Sequence, residues 1–471
     1  MKKKLIKKML IGCASALVTS SMFIPSAAHI IMAEESTTVQ SSSETNPSEL
    51  LLGMFFNSHE DRSDTLYVSF NGTDFESISV ALQDRAPNDA TDNVVQDPFV
   101  TYAQCLHDPA LQFHNGVYWT MSGFTKQVDD GSYVFQPMLS YSTDLINWSY
   151  PNSGGSANNT NTYMKPTLTP YGRDGKRDAV KFDCAAPDLF IDDDGTGWIV
   201  VCLGYYGAFH GEAQHDHLSP YLIKADNLRP GTTDSLTTEY ARSRMPLCTY
   251  SQAYPMNLVG ATSTNYIDAS IYKENGIYYL SIKRDGTINE IWKTDSLTLN
   301  SKWTLACANA VEGYEGPSLT RYNGRYLMYT DKLADFPYGN ADGTTGTFVT
   351  ESDGISGVWG NTHRIDTKTI AGAKIPNRHG SVLRITDKSA INTIMELYRS
   401  KGGVYKPESN DDFTGVKEKW GTYRVFKNGE VDVTFTGIKE APDKTLLYFK
   451  NGVFDSSFTG VASDENKNYF M

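Results

Sequence analysis

Carboxylates at four places in the chain each stand shortly before a predicted β-hairpin. Asp108, Asp188, Asp268 and Glu315 are followed, six to eight residues later, by an Asn-Gly or Asp-Gly pair. Such pairs are the strongest short-range signal for a hairpin, because a type I′ turn needs positive φ at both central positions. A fifth segment has His379 in the place of the acid. We therefore predict that these side chains occupy the same structural position in successive units.

Carboxylates that converge in one pocket suit acid–base chemistry at a glycosidic bond. They cannot all stay ionised at low cost, so their pKa values should be driven apart. Inversion at a sugar carbon uses a protonated carboxyl on the leaving oxygen and a carboxylate base, about 6.5–9.5 Å apart with water between them. The competing interpretation is that acids at strand starts cap turns or hold a cation. Four acids in register with a histidine favour catalysis.

A β-propeller would bring these segments together. Between residues 50 and 400, short runs rich in Tyr, Ile and Val alternate with Gly-containing turns, which is typical of an all-β fold. Propeller blades are four-stranded sheets around a central channel, so the starts of their innermost strands converge on the axis. The His379 segment has no Asn-Gly hairpin after it, and residues 51–82 can supply the missing strands. We predict a five-bladed β-propeller closed by strands from both ends of the domain.

The segments on either side of this domain have different compositions. Residues 1–33 have a basic start, an apolar run and small residues at the end, which predicts a signal peptide and a secreted protein. Residues 34–49 are rich in Ser, Thr and Glu and predict a flexible linker. No later segment has the run of about 18 apolar residues that a membrane span needs. We therefore expect no transmembrane segment in the mature chain.

Residues 401–471 predict short β-hairpin repeats. Phe-Thr-Gly occurs at Phe413, Phe435 and Phe458, with Lys-Asn-Gly hairpin signals between the copies. Solenoid repeats need about three units and caps for stability, so we expect the array to continue beyond this sequence. The repeats are similar to the wall- or glucan-binding repeats of Gram-positive surface proteins. That similarity implies binding to a cell-wall or glycan polymer.

The composition excludes some partners and cofactors. The formal charge of −13 argues against nucleic acid, whose binding needs clustered Lys and Arg. The five cysteines after the signal peptide have neither metal-site spacing nor the density of a disulfide framework. His210, His215 and His217 could bind a metal, but we favour an inserted loop after the second blade.

Five short motifs, in order, resemble glycoside hydrolase family 43. They are His107-Asp108-Pro109, Ala186-Pro187-Asp188, Ile267-Asp268-Ala269, Glu315-Gly316-Pro317 and Arg378-His379-Gly380. The segment from Ser142 to Trp148 also resembles a strand of that family. The resemblance covers about residues 50–400. It implies a five-bladed propeller that hydrolyses arabinose- or xylose-type bonds of plant polysaccharides with inversion.

The resemblance also implies a role for each matching residue. Asp108 would be the general base and Glu315 the general acid. Asp268 would tune the pKa of the acid and orient the substrate. His379 resembles the axial histidine near which family members hold a calcium ion or a water cluster, and the reaction itself requires no cofactor.

A second group of residues is predicted to contact the sugar. Asp188 matches a non-catalytic position, and Arg378 and His379 belong to the last motif. His107 stands where many family members have Arg, which affects the detail of the subsite and not the mechanism. Trp119 is a candidate for stacking against a sugar ring.

Two other functions remain open from the sequence. A fructan-active hydrolase or fructosyltransferase also uses five blades and three acids, but its Asn-Asp-Pro-Asn-Gly and Glu-Cys motifs do not occur here. A non-catalytic sugar-binding propeller or adhesin would use the acids to hold an ion. Replacement of Glu315 by Gln separates these functions, because only a hydrolase should lose turnover.

Overall fold

The computed structural model describes most of the chain after residue 45. The described residues are 46–57, 63–83, 106–127, 133–148, 182–205, 218–231, 247–263, 265–284, 288–332, 346–406, 413–419, 422–463 and 468–470. All of them belong to one compact unit, Thr45–Met471. The predicted signal peptide, most of the predicted linker and the histidine-rich loop lie outside the described residues. Within the described residues, no helix is long and apolar enough to cross a membrane.

Strands account for almost all of the regular structure, which confirms the all-β prediction. The first eleven are β1 (Leu50–Asn57), β2 (Ser63–Ser69), β3 (Asp74–Gln83), β4 (Leu106–His114), β5 (Val117–Gln127), β6 (Tyr133–Ser142), β7 (Phe182–Ile191), β8 (Gly197–Tyr205), β9 (Ser219–Arg229), β10 (Leu247–Tyr250) and β11 (Tyr254–Pro255). The next eleven are β12 (Asn257–Leu258), β13 (Tyr266–Glu274), β14 (Ile277–Arg284), β15 (Ile288–Thr294), β16 (Lys302–Glu312), β17 (Glu315–Tyr322), β18 (Arg325–Lys332), β19 (Gly346–Ser352), β20 (Gly360–Arg364), β21 (Asp366–Thr369) and β22 (Arg378–Ile385).

One helix and eight short strands follow. They are α1 (Lys388–Ser400), β23 (Gly415–Lys419), β24 (Thr422–Lys427), β25 (Glu430–Val431), β26 (Gly437–Glu440), β27 (Leu446–Lys450), β28 (Val453–Phe454), β29 (Val461–Ser463) and β30 (Asn468–Phe470).

The strands before α1 form five sheets. Sheet 1 has the order β21-β3-β2-β1-β22, sheet 2 is β4-β5-β6, and sheet 3 is β10-β9-β8-β7 with β11 beside β9. Sheet 4 has the order β12-β16-β15-β14-β13, and sheet 5 is β17-β18-β19-β20. Sheet 1 combines both ends of the domain, because β1 pairs with β22 from Leu50↔Ile385 to Phe56↔Arg378. This pairing is the one that the sequence predicts for residues 51–82.

The sheets contact one another in cyclic order. Their innermost strands are β22, β4, β7, β13 and β17, each of which contacts the next, and β17 contacts β22. A separate hydrophobic cluster lies between each pair of neighbouring sheets, including sheets 5 and 1. This is the order of contacts that a five-bladed propeller requires. It places the starts of the five innermost strands around one axis.

The predicted hairpin turns are confirmed at three of the four positions. Asn115-Gly116, Asn275-Gly276 and Asn323-Gly324 each form a two-residue turn with positive φ at both positions. The fourth differs, because β7 and β8 pair at Ile191↔Gly197 and leave a five-residue loop. In that loop Asp192 N–H donates to the Thr196 carbonyl. The acidic residues of this loop therefore lie in a turn that is longer than the two-residue turn that an Asp-Gly pair predicts.

The helix α1 was not predicted. Asp387 caps it by accepting hydrogen bonds from the backbone N–H groups of Ser389 and Ala390. Its buried face includes Ile391, Ile394 and other apolar residues, which pack into the cluster between sheets 1 and 2. These residues recur at helical spacing, so the helix could have been identified from the sequence. The segments before it all have the pattern of strands, and this single helical segment was not distinguished from them.

The C-terminal repeats form hairpins with equivalent hydrogen bonds. Gly429 N–H donates to the Phe413 carbonyl at 3.0 Å, and Gly452 N–H donates to the Phe435 carbonyl at 2.8 Å. Strands β23, β24, β28, β27 and β26 share one sheet, with β25 beside β24. Arg424 of β24 is fully buried and forms an ion pair with Glu351 of sheet 5. The repeats therefore pack on the preceding sheets through a buried charge.

Candidate active site

Each innermost strand contains a β-bulge near its start. In all five, one residue has positive φ and is skipped by the pairing with the neighbouring strand. The bulged residues, with φ in parentheses, are Asp108 (55°), Ala186 (38°), Asp268 (59°), Gly316 (62°) and His379 (20°). Bulges redirect side chains and are common beside active sites. The repeated element is therefore the bulge, which the sequence analysis did not identify.

The bulges correct the predicted register of the acids. Asp108, Asp268 and His379 occupy the bulged position, but Glu315 lies one residue before it and Asp188 two residues after it. The prediction that all four acids and His379 occupy one equivalent position is therefore wrong. The varying distance from each acid to its turn was a sign of this difference.

A pocket opens where the five innermost strands meet. Residues from all five strands line it: Asp108, Pro109, Ala110, Ala186, Pro187, Asp188, Asp268, Ala269, Ser270, Gly316, Pro317, Ser318, His379, Gly380 and Ser381. Glu315 is not part of the lining, but it adjoins the pocket through Lys283 and the lining residue Gly316.

Asp108 and His379 form an ion pair across the junction of β4 and β22. The His379 Nδ1 atom lies 3.0 Å from Asp108 Oδ1, and the imidazole side chain is 12% exposed. Burial alone would lower the pKa of His379, but Asp108 and, to a lesser extent, Asp268 and Glu315 raise it to about 9. At neutral pH the imidazole is therefore a cation that holds Asp108 as a carboxylate.

Asp188 has a different environment. It is 6% exposed, and its Oδ2 atom accepts a hydrogen bond of 2.8 Å from the backbone N–H of Ile271. Burial raises its pKa to about 7, although the hydrogen bonds from Ile271 and Ser270 act in the opposite direction. Asp188 is thus harder to ionise than a free carboxyl, whereas Asp108 of the same pocket is paired with a cation.

Lys283 joins Asp268 to Glu315. Its Nζ atom lies 3.2 Å from Asp268 Oδ2 and 2.7 Å from Glu315 Oε2. Asp268 Oδ2 also accepts a bond of 3.1 Å from the backbone N–H of Gly316. Burial would lower the pKa of Lys283, but the two carboxylates outweigh it and raise the pKa above the usual value. Lys283 is therefore an ammonium shared by two predicted catalytic residues.

Arg378 contacts Glu315 from the other side. Its Nη2 atom lies 3.0 Å from Glu315 Oε1, and it also binds Asp331 Oδ2 through Nε at 2.8 Å and Nη2 at 2.6 Å. Asp331 is fully buried, and burial raises its pKa to about 6 against the opposing effect of Arg378. The guanidinium also lies 5.6 Å from the ring of Phe56. Arg378 is thus held firmly in place beside Glu315.

Comparison with known proteins adds a likeness in fold. No protein-family model and no curated protein matches the chain. A β-xylosidase structure shares 10% identity and a TM-score of 0.38, with 68% of this chain and 93% of that one covered. An α-L-arabinofuranosidase from Clostridium thermocellum shares 13% identity and a TM-score of 0.36, with 64% of this chain and 83% of that one covered.

A galactosidase structure is similar to the same degree. This family 43 β-1,3-galactosidase shares 14% identity and a TM-score of 0.36, with 55% of this chain and 76% of that one covered. The solved structures that this chain resembles are family 43 glycosidases. The chain spans less than half of some of them, such as 42% of a family 43 protein from Bacillus licheniformis. The function proposed below therefore rests on the geometry of the site.

Of the predicted substrate-binding residues, Asp188 and His379 line the pocket, whereas Arg378 contacts Glu315 outside the lining. Trp119 is 2% exposed and packs in the cluster between sheets 2 and 3, with its ring 5.4 Å from that of Tyr141. This burial contradicts its predicted role in stacking against a sugar. His107 lies in β4, but its side chain is outside the described residues.

The surroundings of His379 do not fit a calcium ion. The Nδ1 atom is already bonded to Asp108, and the imidazole is protonated at neutral pH. A protonated imidazole repels a cation, and calcium prefers oxygen ligands. Among the described residues, no group of three or more His, Cys, Asp or Glu side chains is arranged to hold a metal ion.

The sequence analysis missed three polar residues that support Glu315. Lys283 and Asp331 provide the ion pairs described above. Asn289 is fully buried, and its Nδ2 atom donates to the Val311 carbonyl at 3.2 Å and to the Tyr314 carbonyl at 2.9 Å. It therefore fixes the segment that leads into Glu315. Other polar residues occur in the same strands, so the sequence contained no signal that distinguished these three.

Proposed function

We propose that the protein is a secreted glycoside hydrolase that inverts at arabinose- or xylose-type bonds of plant polysaccharides. The observation that supports this most directly is that two of the three predicted catalytic carboxylates line one pocket and the third is joined to it through Lys283. Asp108 and Asp268 line the pocket, and Lys283 connects Asp268 to Glu315. Such an arrangement supplies a base, an acid and a third carboxylate for an oxocarbenium-like transition state.

In this proposal each residue has one role in a single displacement. Asp108 accepts a proton from the attacking water, whose oxygen bonds to the anomeric carbon. Glu315 gives its proton to the leaving oxygen as the glycosidic bond breaks. Asp268 orients the sugar and influences the protonation of Glu315 through their shared contact with Lys283. Arg378 and Asp188 contribute polar contacts at the edge of the site.

The remaining parts of the proposal concern the location of the protein. The leader of residues 1–33 would direct secretion, and the repeats after residue 401 would hold the enzyme on a cell-wall or glycan polymer. Because Arg424 anchors the first repeats to sheet 5, the bound polymer would lie at a fixed position relative to the pocket. A binding assay with insoluble wall polymer and arabinan, comparing the full chain with one ending at residue 406, tests this part.

The hydrolase is tested by a substrate screen. The mature protein would be incubated with 4-nitrophenyl arabinofuranoside, xyloside and galactoside, and with arabinan and xylan. Proton NMR of the first product reads the anomeric configuration, which should be inverted. Absence of cleavage of every substrate, with sugar binding retained, would favour the non-catalytic sugar-binding alternative.

Substitution of the two predicted catalytic residues gives the sharper test. Glu315→Gln should lower turnover of polysaccharide by about 100-fold or more, as expected for loss of a general acid. It should affect the 4-nitrophenyl glycoside less, because nitrophenolate leaves without protonation, whereas Asp108→Asn should affect both substrates alike. Glu312→Gln, the same change at an exposed position three residues away, is the matched control. Equal activity of Glu315→Gln and this control would refute the assignment.

A further inference from the structure

Each oxygen atom of Glu315 accepts a hydrogen bond from a cation in this structure. Its Oε1 atom accepts a hydrogen bond from Arg378 Nη2 at 3.0 Å, and its Oε2 atom accepts one from Lys283 Nζ at 2.7 Å. Both donors are cations, and charge-assisted bonds of this length are strong. The side chain is 16% exposed, so water does little to weaken them. Loss of one of the two contacts would remove a cation from beside an oxygen atom that a general acid needs for its proton.

The two cations are not held equally. Arg378 forms two hydrogen bonds to the fully buried Asp331 and lies against the ring of Phe56. Moving it would leave the Asp331 carboxylate buried without its cation, which is costly. Lys283 has no such anchor, because its two ion-pair partners are Glu315 and Asp268. An ammonium on a flexible stem can transfer from one of these carboxylates to the other at small cost.

Asp268 is the residue to which Lys283 can move. It lines the pocket, it lies 3.2 Å from Lys283 Nζ, and the N–H of Gly316 holds its Oδ2 atom in place. A sugar hydroxyl that enters beside Asp268 would offer the ammonium an additional acceptor. The pocket therefore couples the arrival of a sugar to the position of one buried cation.

We propose that Lys283 is a positioning residue that releases Glu315 for protonation only when a sugar hydroxyl binds beside Asp268. This inference rests on the glycosidase function proposed above. Lys283 stays protonated throughout, and its ammonium moves from Glu315 to Asp268 and the sugar hydroxyl. The Oε2 atom of Glu315 then takes one proton from solvent. During hydrolysis that proton passes to the leaving oxygen, and Asp108 receives the proton of the attacking water.

Other charged groups around Glu315 do not change in this step. Arg378 and His379 face it from β22, Asp331 faces it from β18, and Asp268 faces it from β13. Arg378 also has two carboxylate partners, but the fully buried Asp331 holds it in place, whereas both partners of Lys283, from β14, adjoin the pocket. Removal of the Lys283 charge should therefore make Glu315 easier to protonate before any sugar is present.

The first experiment reads Glu315 directly, without substrate. Carboxyl absorption would be followed against pH by infrared spectroscopy with ¹³C-labelled glutamate, and the Glu315→Gln spectrum would be subtracted to isolate this residue. In Lys283→Met the acid band should appear at a pH about one unit or more above that of the wild type, since one adjacent charge is lost. Lys273→Met removes a lysine that pairs with Asp192 and Asp193 outside the pocket and should cause no change.

The second experiment compares two pH profiles measured with the polysaccharide that the screen finds to be cleaved fastest, because its leaving oxygen needs the proton of Glu315. The alkaline limb of kcat/KM reports the free enzyme and that of kcat reports the complex. In the wild type the limb of kcat should lie at higher pH, and in Lys283→Met the two limbs should coincide. Lys283→Arg keeps the charge and should preserve the separation, and it remains informative if Lys283→Met does not fold.

The outcomes separate this inference from the function on which it rests. An unchanged acid band in Lys283→Met, or an unchanged separation of the two limbs, would overturn the role of Lys283 while leaving the glycosidase intact. A shifted band together with no cleavage of any substrate would refute the glycosidase and the sugar-driven step. A shifted acid band in Lys283→Met, together with limbs of kcat/KM and kcat that coincide, would support both the role of Lys283 and the glycosidase function.

Discussion

Replacement of Asp188 by Asn should change how stability depends on pH. Asp188 is 6% exposed, and burial raises its pKa from 3.8 to about 7. The folded protein therefore keeps this carboxyl protonated at pH values where the unfolded chain releases the proton. Its contribution to stability is fully present below pH 3.8 and is lost as the pH rises to about 7. Asparagine cannot titrate, so the variant should not lose this contribution.

The expected size of the effect follows from these two values. The difference between 3.8 and about 7 corresponds to about 4 kcal/mol, at roughly 1.36 kcal/mol per pH unit. The hydrogen bond from the Ile271 N–H survives the substitution, because an amide oxygen can accept it at the same 2.8 Å. Asp188→Asn should therefore differ little from the wild type at pH 4 and become the more stable protein at pH 8.

The assay is urea unfolding followed by tryptophan fluorescence at pH 4, 6 and 8. Subtraction of the wild-type free energy from that of the variant at each pH removes the titration of all other groups. Asp193→Asn serves as the control, because that side chain is 90% exposed and should give a difference that does not vary with pH. A constant difference for Asp188→Asn as well would refute the claim that the pKa of Asp188 is raised in the folded protein.

Two further substitutions test how the site and the repeats are held. Gly316→Ala should destabilise the fold by about 2–4 kcal/mol, because φ is positive and a Cβ atom would lie 2.7 Å from the His379 ring. Gly324→Ala has the same backbone strain with no atom within 4 Å, so equal losses in urea unfolding would contradict the proposed clash. Arg424→Met should cost about 3 kcal/mol, since it leaves Glu351 buried beside Arg325. In a double-mutant cycle with Glu351→Gln the two losses should not add, and additive losses would show that the ion pair does not couple the repeats to sheet 5.

The sequence predicted the elements of this fold better than their register. The Asn-Gly turns could be identified because only a few residues tolerate positive φ at two successive positions. The pairing of residues 51–82 with the His379 strand followed from the need to remove an open edge. The bulges were missed because an acid in a strand does not by itself signal one.

Prolines in the same strands would have shown the correct register. Pro109, Pro187 and Pro317 each follow a bulged residue directly. Proline cannot donate to a neighbouring strand, so within sheets it occurs at edges and bulges. Alignment of the strands on these prolines places Asp108, Ala186 and Gly316 in equivalent positions, as the structure does. Alignment on the acids instead shifts Asp188 and Glu315 out of register.

Lys283 and Asp331 could not have been assigned from the sequence, for a different reason. Each lies on the second strand of its sheet, where Lys283 is opposite Ile267 and Asp331 is opposite Glu315. Their importance comes from contacts between neighbouring sheets, which depend on twist and on the bulges. A single sequence contains no signal for such contacts. Buried charge in a strand is a reason to look for a partner, but it does not name that partner.

The residues proposed for catalysis also connect neighbouring strands around the pocket. Asp188 of β7 accepts from Ile271 of β13, and Asp268 of β13 accepts from Gly316 of β17. His379 of β22 pairs with Asp108 of β4. Replacement of these acids by Ala would remove an acceptor between two strands as well as a charge, so lost activity would have two causes. Replacement by Asn keeps the acceptor and removes only the charge. The isosteric amides are therefore the variants that can separate a catalytic role from a structural one at this site.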